Sequence, residues 1–243
     1  MTLTKNTEIL RAEVAAHIKA DALVRGSYWK PSKNAVGGQG CFISCLTHSS
    51  DPTPAFERFG VPVAVLRIAE NIYEDLPDGE GTAFFAALPD AVGRDGKDLS
   101  RVHWGFLAAE LRAMPQKTDA AQAVIDPVID GMDLLFSGQQ WTAARAAARA
   151  AADAAATFST EAAIAALSAE AAAEAAAFSA NAARAAYRAA AAADYVNAAT
   201  YAAAADDSVN AATYSASVAK AAEAAGRARL RQRDTLLALI AAA

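Results

Sequence analysis

The chain has 243 residues, a formal net charge of −5 and a hydrophobic content of 54% that alanine inflates. The charge is uneven, because residues 1–140 carry 13 Lys/Arg and 18 Asp/Glu whereas residues 141–243 carry nine of each. An acidic first half without a basic face argues against nucleic-acid binding, since neutralising phosphates supplies most of that affinity.

Neither a signal peptide nor a membrane span is expected. Residues 1–16 contain four charged side chains, and the alanine runs lack Leu, Ile and Phe and are interrupted by charges. Two cysteines four residues apart do not make a disulfide framework. These features favour a reducing, cytoplasmic setting.

Helical periodicity dominates the first half of the chain, and few stretches alternate with the period of a strand. Gly and Pro mark a loop over residues 26–40, and Pro89 is expected to end the helix before it. Pro127 is expected to kink the last of these helices. The pattern predicts helices over residues 6–24, 41–48, from Pro62 to the break at Asp78-Gly79, 82–88, 100–114 and from 118 to about 136.

The sequence changes character after Trp141. About half of residues 141–243 are Ala, the strongest helix former, and no Gly or Pro occurs between Gly138 and Gly226. Cap-like signals and the identical six-mers at 196–201 and 209–214 indicate several antiparallel helices rather than one. Because Ala buries little area, the sparse large residues should act as anchors: Ile164, Leu167, Phe178, Tyr187 and Tyr201.

The predicted fold class is therefore all-α, with a compact acidic helical domain over residues 1–138. An Ala-rich helical tail over residues 139–243 follows, as an antiparallel bundle or hairpin array. The closing apolar helix is expected to dock on the tail or on a partner. The basic cluster Arg227, Arg229, Arg231 and Arg233 is interpreted as a solvated helix end.

The most specific local feature is the segment from Gly37 to His48. A helix starting at Cys41 would place Cys41, Cys45 and His48 on one face, at positions i, i+4 and i+7. Three interpretations of this face compete.

An activated thiol is the first interpretation. A cysteine at a helix N-terminus has a stabilised thiolate, and Gln39 could supply an oxyanion donor. A base is also required. His48 lies roughly 10 Å farther along the helix, so His17 or His103 would have to supply it.

The second interpretation is a metal site formed by Cys41, Cys45 and His48, with Asp51 or His103 as a fourth ligand. The third and favoured interpretation is structural, because free Cys is among the most buried residue types. No cofactor is expected, and a non-enzymatic function is favoured.

Two further sets of residues are assigned structural roles. Glu70, Glu74 and Asp75 follow an apolar helix and are interpreted as its solvated end rather than as a carboxylate pair. His103-Trp104 is interpreted as a helix-face pair in the core. Phosphate-binding, dinucleotide-binding, nucleophile-elbow and zinc-protease motifs do not occur.

Several segments resemble an uncharacterised family of bacterial and phage-associated proteins. They are Tyr28-Trp29, Gly40-Cys41-x3-Cys45-x2-His48-Ser49, Glu57-x2-Gly60-Val61-Pro62 continuing to Leu76-Pro77, and Leu99-Ser100-Arg101-Val102. The resemblance implies no activity. Its phage association makes an interaction or inhibitor role the expectation, by analogy only.

The expected function is therefore a cytoplasmic interaction or inhibitor protein that binds a protein partner or a second copy of itself. The Ala-rich tail would act as a scaffold or oligomerisation element. One alternative is a thiol-dependent enzyme centred on Cys41. Another is ice binding through flat Ala/Thr helix faces, although Thr200 and Thr213 stand 13 residues apart, not the roughly 11 that keep one stripe.

Overall fold

The computed structural model describes residues 2–114, 119–156, 166, 167, 169, 173 and 214–243. This part of the chain is mostly helical, with one two-stranded sheet, which confirms the all-α class. The helices are α1 Thr7–Lys19, α2 Phe42–Thr47, α3 Thr53–Phe59, α4 Val63–Asp75, α5 Glu80–Val92, α6 Val102–Ala113, α7 Asp119–Phe136, α8 Ala144–Ala155 and α9 Tyr214–Ala242. The strands are β1 Lys30–Pro31 and β2 Gly38–Gln39.

The chain divides into two compact units. The first comprises Met1–Val102 together with Arg233–Ala243, and the second comprises His103–Gln232. The closing residues thus belong to the same unit as the N-terminal helices. The predicted boundary at residue 138 and the antiparallel arrangement of the tail stay predictions.

The first helix is shorter than its apolar pattern predicts. It ends at Lys19, and Asp21 has the left-handed φ of 51°. Beyond this point the backbone pairs with a distant segment, because Val24 N donates to the Gly40 carbonyl and Gly40 N donates to that of Ala22, both at 2.9 Å. These long-range bonds take residues 22–24 out of the helix.

The short sheet closes the glycine-rich loop before α2. Lys30 pairs with Gln39 in antiparallel register. A Cβ at Gly38 would lie 2.4 Å from the Trp29 ring, so only glycine lets the indole pack against β2. The loop thereby fixes the position of Trp29.

Helix α3 is missing from the prediction, and one predicted helix end is wrong. Pro52 and Pro54 lie at the start of α3, where Asp51 Oδ1 accepts the Thr53 N–H at 2.9 Å and proline is tolerated in the first turn. Pro89 lies inside α5, which continues to Val92. The Pro89 carbonyl accepts the Gly93 N–H at 2.8 Å, so the helix keeps a bonded last turn beyond the proline.

Aromatic rings form the centre of the first unit. Phe42 stacks on Phe84 at a centroid distance of 5.4 Å and meets Phe85 edge-on at 5.0 Å. All three side chains are essentially inaccessible to solvent, which anchors α2 against α5. Leu236 and Ile240 of α9 are also fully buried.

The end of α9 is bonded to the first unit. Lys97 Nζ donates to the carbonyls of Ile240 and Ala241 at 2.7 and 2.9 Å, which satisfies acceptors that a helix C-terminus leaves unpaired. Residues 233–243 therefore pack within the first unit rather than on the tail, whereas the preceding part of α9 belongs to the second unit. Docking of this helix on a partner stays a prediction.

In the second unit, small residues allow close helix packing. A Cβ at Gly131 of α7 would lie 2.1 Å from the Trp141 ring. On α8 the buried positions are Ala144, Ala148 and Ala151, which form one helical face, while Arg145 and Arg149 are exposed. Ala faces therefore pack in this unit as the composition suggests.

The solvated-end interpretation of the basic cluster is wrong for three of its four arginines. Arg229 is 4% exposed, Arg231 donates to Glu110 at 2.9 Å, and Arg233 is paired with Glu80 and Asp234. Only Arg227 has a largely exposed side chain. The arginines hold α9 to acidic groups of the two units, Arg231 within the second and Arg233 within the first.

Most tail predictions lie outside the described residues. These include the repeat at 196–201, most of that at 209–214, the threonines at 200 and 213, and the anchors Ile164, Phe178, Tyr187 and Tyr201. Leu167 is described and half-buried. Within the described ranges, the helices are too short or too polar to cross a membrane.

Candidate functional site

Helix α2 starts where the cysteine segment predicts. Cys41 is the residue before its first turn and has an extended backbone, with φ −69° and ψ −177°. His48 ends it in the left-handed conformation, with φ 55°. The six residues from Cys41 to Leu46 are buried, so both cysteines lie in the core of the first unit.

The Cys41 thiol is held between two side chains. Its Sγ lies 3.1 Å from Ser44 Oγ and donates to Glu70 Oε1 at 3.1 Å. Burial raises the pKa of Cys41, Ser44 lowers it, and the Glu70 carboxylate raises it again. The net shift is upward, so the thiol keeps its proton at neutral pH and is a weak nucleophile.

Cys45 is even less suited than Cys41 to act as a nucleophile. Its Sγ donates toward the carbonyls of Gly40 and Ala22, at 3.4 and 3.5 Å. Burial raises the pKa of Cys45 to about 12, and Cys41 adds to the shift. Cys45 therefore connects α2 to the backbone of the loop before it.

The other members of the thiol hypothesis make contacts that do not involve the Cys41 thiol. Gln39 is half-buried in β2, and neither hydrogen bond of Cys41 involves an imidazole. His17 packs against Trp29 and His48 instead. His103 belongs to the second unit, where it packs on Trp104 as expected and burial lowers its pKa to about 4.

The geometry does not favour the metal hypothesis either. Cys41 and Cys45 turn into the core, whereas the exposed His48 ring lies on Trp29. Across the described ranges, His, Cys, Asp and Glu side chains do not gather in groups of three or more that could hold a metal ion. The three predicted ligands thus have separate structural roles in this conformation.

The solvated position that the sequence predicts for Glu70 is wrong. Glu70 is 8% exposed, and its Oε2 accepts from Arg67 at 2.8 Å while Oε1 faces Cys41. Glu74 is also engaged, because its Oε2 accepts the Gly26 N–H at 2.6 Å. The solvated-end interpretation is wrong for these two carboxylates, which connect α4 to the cysteine segment and its loop.

A layer of three rings lies at the other end of α2. Trp29 and His48 stack at a centroid distance of 4.0 Å and an interplanar angle of 12°. His17 of α1 lies 5.6 Å from His48 and 6.0 Å from Trp29, centroid to centroid. Residues from α1, the glycine-rich loop and the end of α2 therefore meet here, 31 positions apart at most.

This layer borders a cavity of about 300 Å³. Its polar wall includes an ion pair, because Arg58 Nη1 donates to Glu13 Oε2 at 3.0 Å and Arg58 also bonds Glu13 Oε1. The remaining lining is His17, His48, Thr47, Ala16, Val36, Leu46 and Pro54.

The cavity has little net charge. Glu13 and Arg58 neutralise each other. Burial against its neighbours lowers the pKa of His48, and the nearby His17 and Arg58 lower it further against the opposing effect of Glu13. His48 is therefore neutral at neutral pH, and the cavity suits an uncharged group rather than an anion or a cation.

Comparison with known proteins gives no relative. No family model matches the chain, and neither the curated proteins nor the solved structures contain a match. The geometry of the first unit is therefore the basis for the proposed function.

Proposed function

We propose that this chain is a protein-interaction or inhibitor protein whose first unit binds a protein partner beside the ring layer. The supporting observation is a cavity of little net charge lined by His17 and His48, together with an exposed aromatic side chain, Tyr28, directly before Trp29 of the ring layer. Tyr28 is 64% exposed, the highest value among the exposed large apolar side chains of the described ranges. Exposed aromatic side chains are typical anchors of protein interfaces.

The thiol-enzyme alternative has less support. A nucleophilic cysteine needs a lowered pKa and a base within reach, but Cys41 has a raised pKa and donates a hydrogen bond to Glu70. The expected phage or prophage origin and cytoplasmic location belong to the interaction proposal. So do the scaffold role of the Ala-rich tail and the absence of nucleic-acid and membrane partners.

Site-specific photo-cross-linking tests the proposal. A benzoylphenylalanine replaces Tyr28 in the full chain, and a matched control carries it at Ala86, an exposed position of α5 that does not line the cavity. Irradiation in the native host should give one discrete adduct from position 28 and none from position 86. An adduct with a second copy would identify self-association. Equal labelling at both positions, or none at position 28, would contradict the proposal.

A further inference from the structure

His17 carries an unused hydrogen-bond acceptor in the wall of the cavity. The side chain is 4% exposed, and its Nδ1 lies 2.8 Å from the carbonyl oxygen of Glu13. A carbonyl can only accept, so Nδ1 carries a proton, and in the neutral imidazole Nε2 presents a lone pair. Nε2 is buried, and within the described ranges no donor reaches it.

The neighbouring polar groups are already engaged. Both carboxylate oxygens of Glu13 bond Arg58, and Thr47 Oγ1 donates to backbone carbonyls of α2 and its end and accepts from Ser49. Buried polar groups in folded proteins are nearly always hydrogen-bonded, so an orphaned acceptor beside a cavity points to a ligand that donates. The low net charge of the wall makes that donor a neutral group.

We infer that the cavity takes a tyrosine side chain of the partner, with its phenolic O–H donating to His17 Nε2. This inference rests on the proposed interaction function. Ala16, Val36 and Leu46 supply apolar contacts for a ring. A phenol provides one neutral donor on an apolar ring, whereas Ser and Thr are too small to use these walls and Lys and Arg would bring an unmatched charge.

Nε2 is covered in this conformation, so a neighbouring side chain must move before a phenol can reach it. His17 is buried and Trp29 is half-buried against Gly38, whereas His48 is exposed and lines the cavity. His48 is therefore the side chain that we expect to move.

The test uses p-cresol as the probe for the tyrosine side chain and toluene as its matched control, which has the same ring and methyl group without the hydroxyl. Each is titrated into the full chain, and the histidine side-chain nitrogens are followed by NMR. The p-cresol should move the His17 Nε2 resonance upfield, as expected for a nitrogen that accepts a hydrogen bond. It should also bind about tenfold tighter than toluene.

Phe at position 17 keeps a ring but removes Nε2, so His17→Phe should bind p-cresol and toluene with equal affinity. If this variant does not fold, the ratio of the two affinities in the native chain still decides the question. Equal binding of the two probes by the native chain, no binding of p-cresol, or p-cresol binding without a shift at His17 would overturn the inference. None of these results would remove a cross-link formed at position 28, so the two proposals fail separately.

Discussion

The Cys41 thiol illustrates how a residue's surroundings decide its chemistry. It stands before the first turn of α2, a position that by itself would stabilise a thiolate. Its Sγ nevertheless donates to Glu70, which comes from a helix 29 positions along the chain. Burial and this carboxylate outweigh the position at the helix start, and the pKa of Cys41 rises.

Alkylation of Cys41 by iodoacetamide should accordingly be slow at neutral pH, with a midpoint above the ordinary thiol value of about 8.5. Glu70→Gln removes the negative charge and should lower that midpoint, because the carboxylate raises the pKa of Cys41. The shift should be partial, since burial is the largest cause. Mass spectrometry at several pH values follows Cys41 and Cys45 separately. Fast modification of Cys41 in the native chain at pH 7 would restore the thiol-enzyme hypothesis.

His103 should make the second unit sensitive to mild acid. Its folded pKa is about 4, below the ordinary value of about 6.5 for an unfolded chain. Between these pH values the unfolded state binds more protons, so the stability from His103 is complete above pH 6.5 and falls as the pH falls toward 4.

The measurement for His103 is urea unfolding of the native chain and of His103→Leu at pH 7 and pH 5. The native chain should lose about 2 kcal/mol more than the variant over this interval. An equal loss in both proteins would show that His103 is not held neutral by the fold.

Among the elements, α8 shows most clearly how buried alanines allow close helix packing. Ala144, Ala148 and Ala151 are at most 8% exposed, and in the described part of the tail Ala166, Ala169 and Ala173 are fully buried at similar spacing. Small side chains let helices approach closely, so each buried Cβ leaves little room for a larger group.

Replacing Ala151 by Leu should therefore destabilise the protein by about 1–3 kcal/mol through overpacking. Ala150→Leu is the matched control, because position 150 is exposed on the same helix and Leu is also a good helix former. Its effect should stay within about 0.5 kcal/mol. Thermal unfolding compares the two variants, and equal midpoints would show that the Ala151 face is not closely packed.

Local sequence patterns predicted the helical elements better than their ends. Pro62 and the apolar periodicity located α4, and the Gly-Cys segment located α2. The end of α1 depends on backbone bonds to the distant Gly40. The start of α3 depends on the cap that Asp51 provides. The apolar periodicity of a short segment contains no information about the bonds to Gly40. A pair of prolines is compatible with the end of one helix as well as with the start of the next.

The candidate site was only partly predictable for the same reason. Cys41, His48 and His17 were singled out by residue type, but the contact with Glu70 and the stacking on Trp29 join segments that sequence spacing does not relate. The orphaned Nε2 of His17 is likewise a property of the folded environment. In the sequence, Tyr28-Trp29 stands out only as part of a family resemblance.

For the whole molecule, the division into two units separates the candidate site from the alanine faces. The first unit combines the N-terminal helices with the last residues of α9, and Lys97 and Arg233 hold this helix end to it. It carries the ring layer, the cavity and Tyr28. The second unit contains the Ala faces and the buried Glu110, which accepts from the buried Gln232 and the half-buried Arg231. Under the proposed function, the first unit would bind the partner and the second would provide the scaffold.

The most direct test of this account is the affinity for the partner captured at position 28, measured by calorimetry with three full-length proteins. Tyr28→Ala removes an exposed side chain and should weaken binding at least tenfold, as expected for an interface anchor. Cys41→Ser changes a buried thiol and should leave the affinity within about twofold of the native value. Loss of binding in Cys41→Ser with native affinity in Tyr28→Ala would contradict an interaction surface at the ring layer and favour chemistry at the thiol.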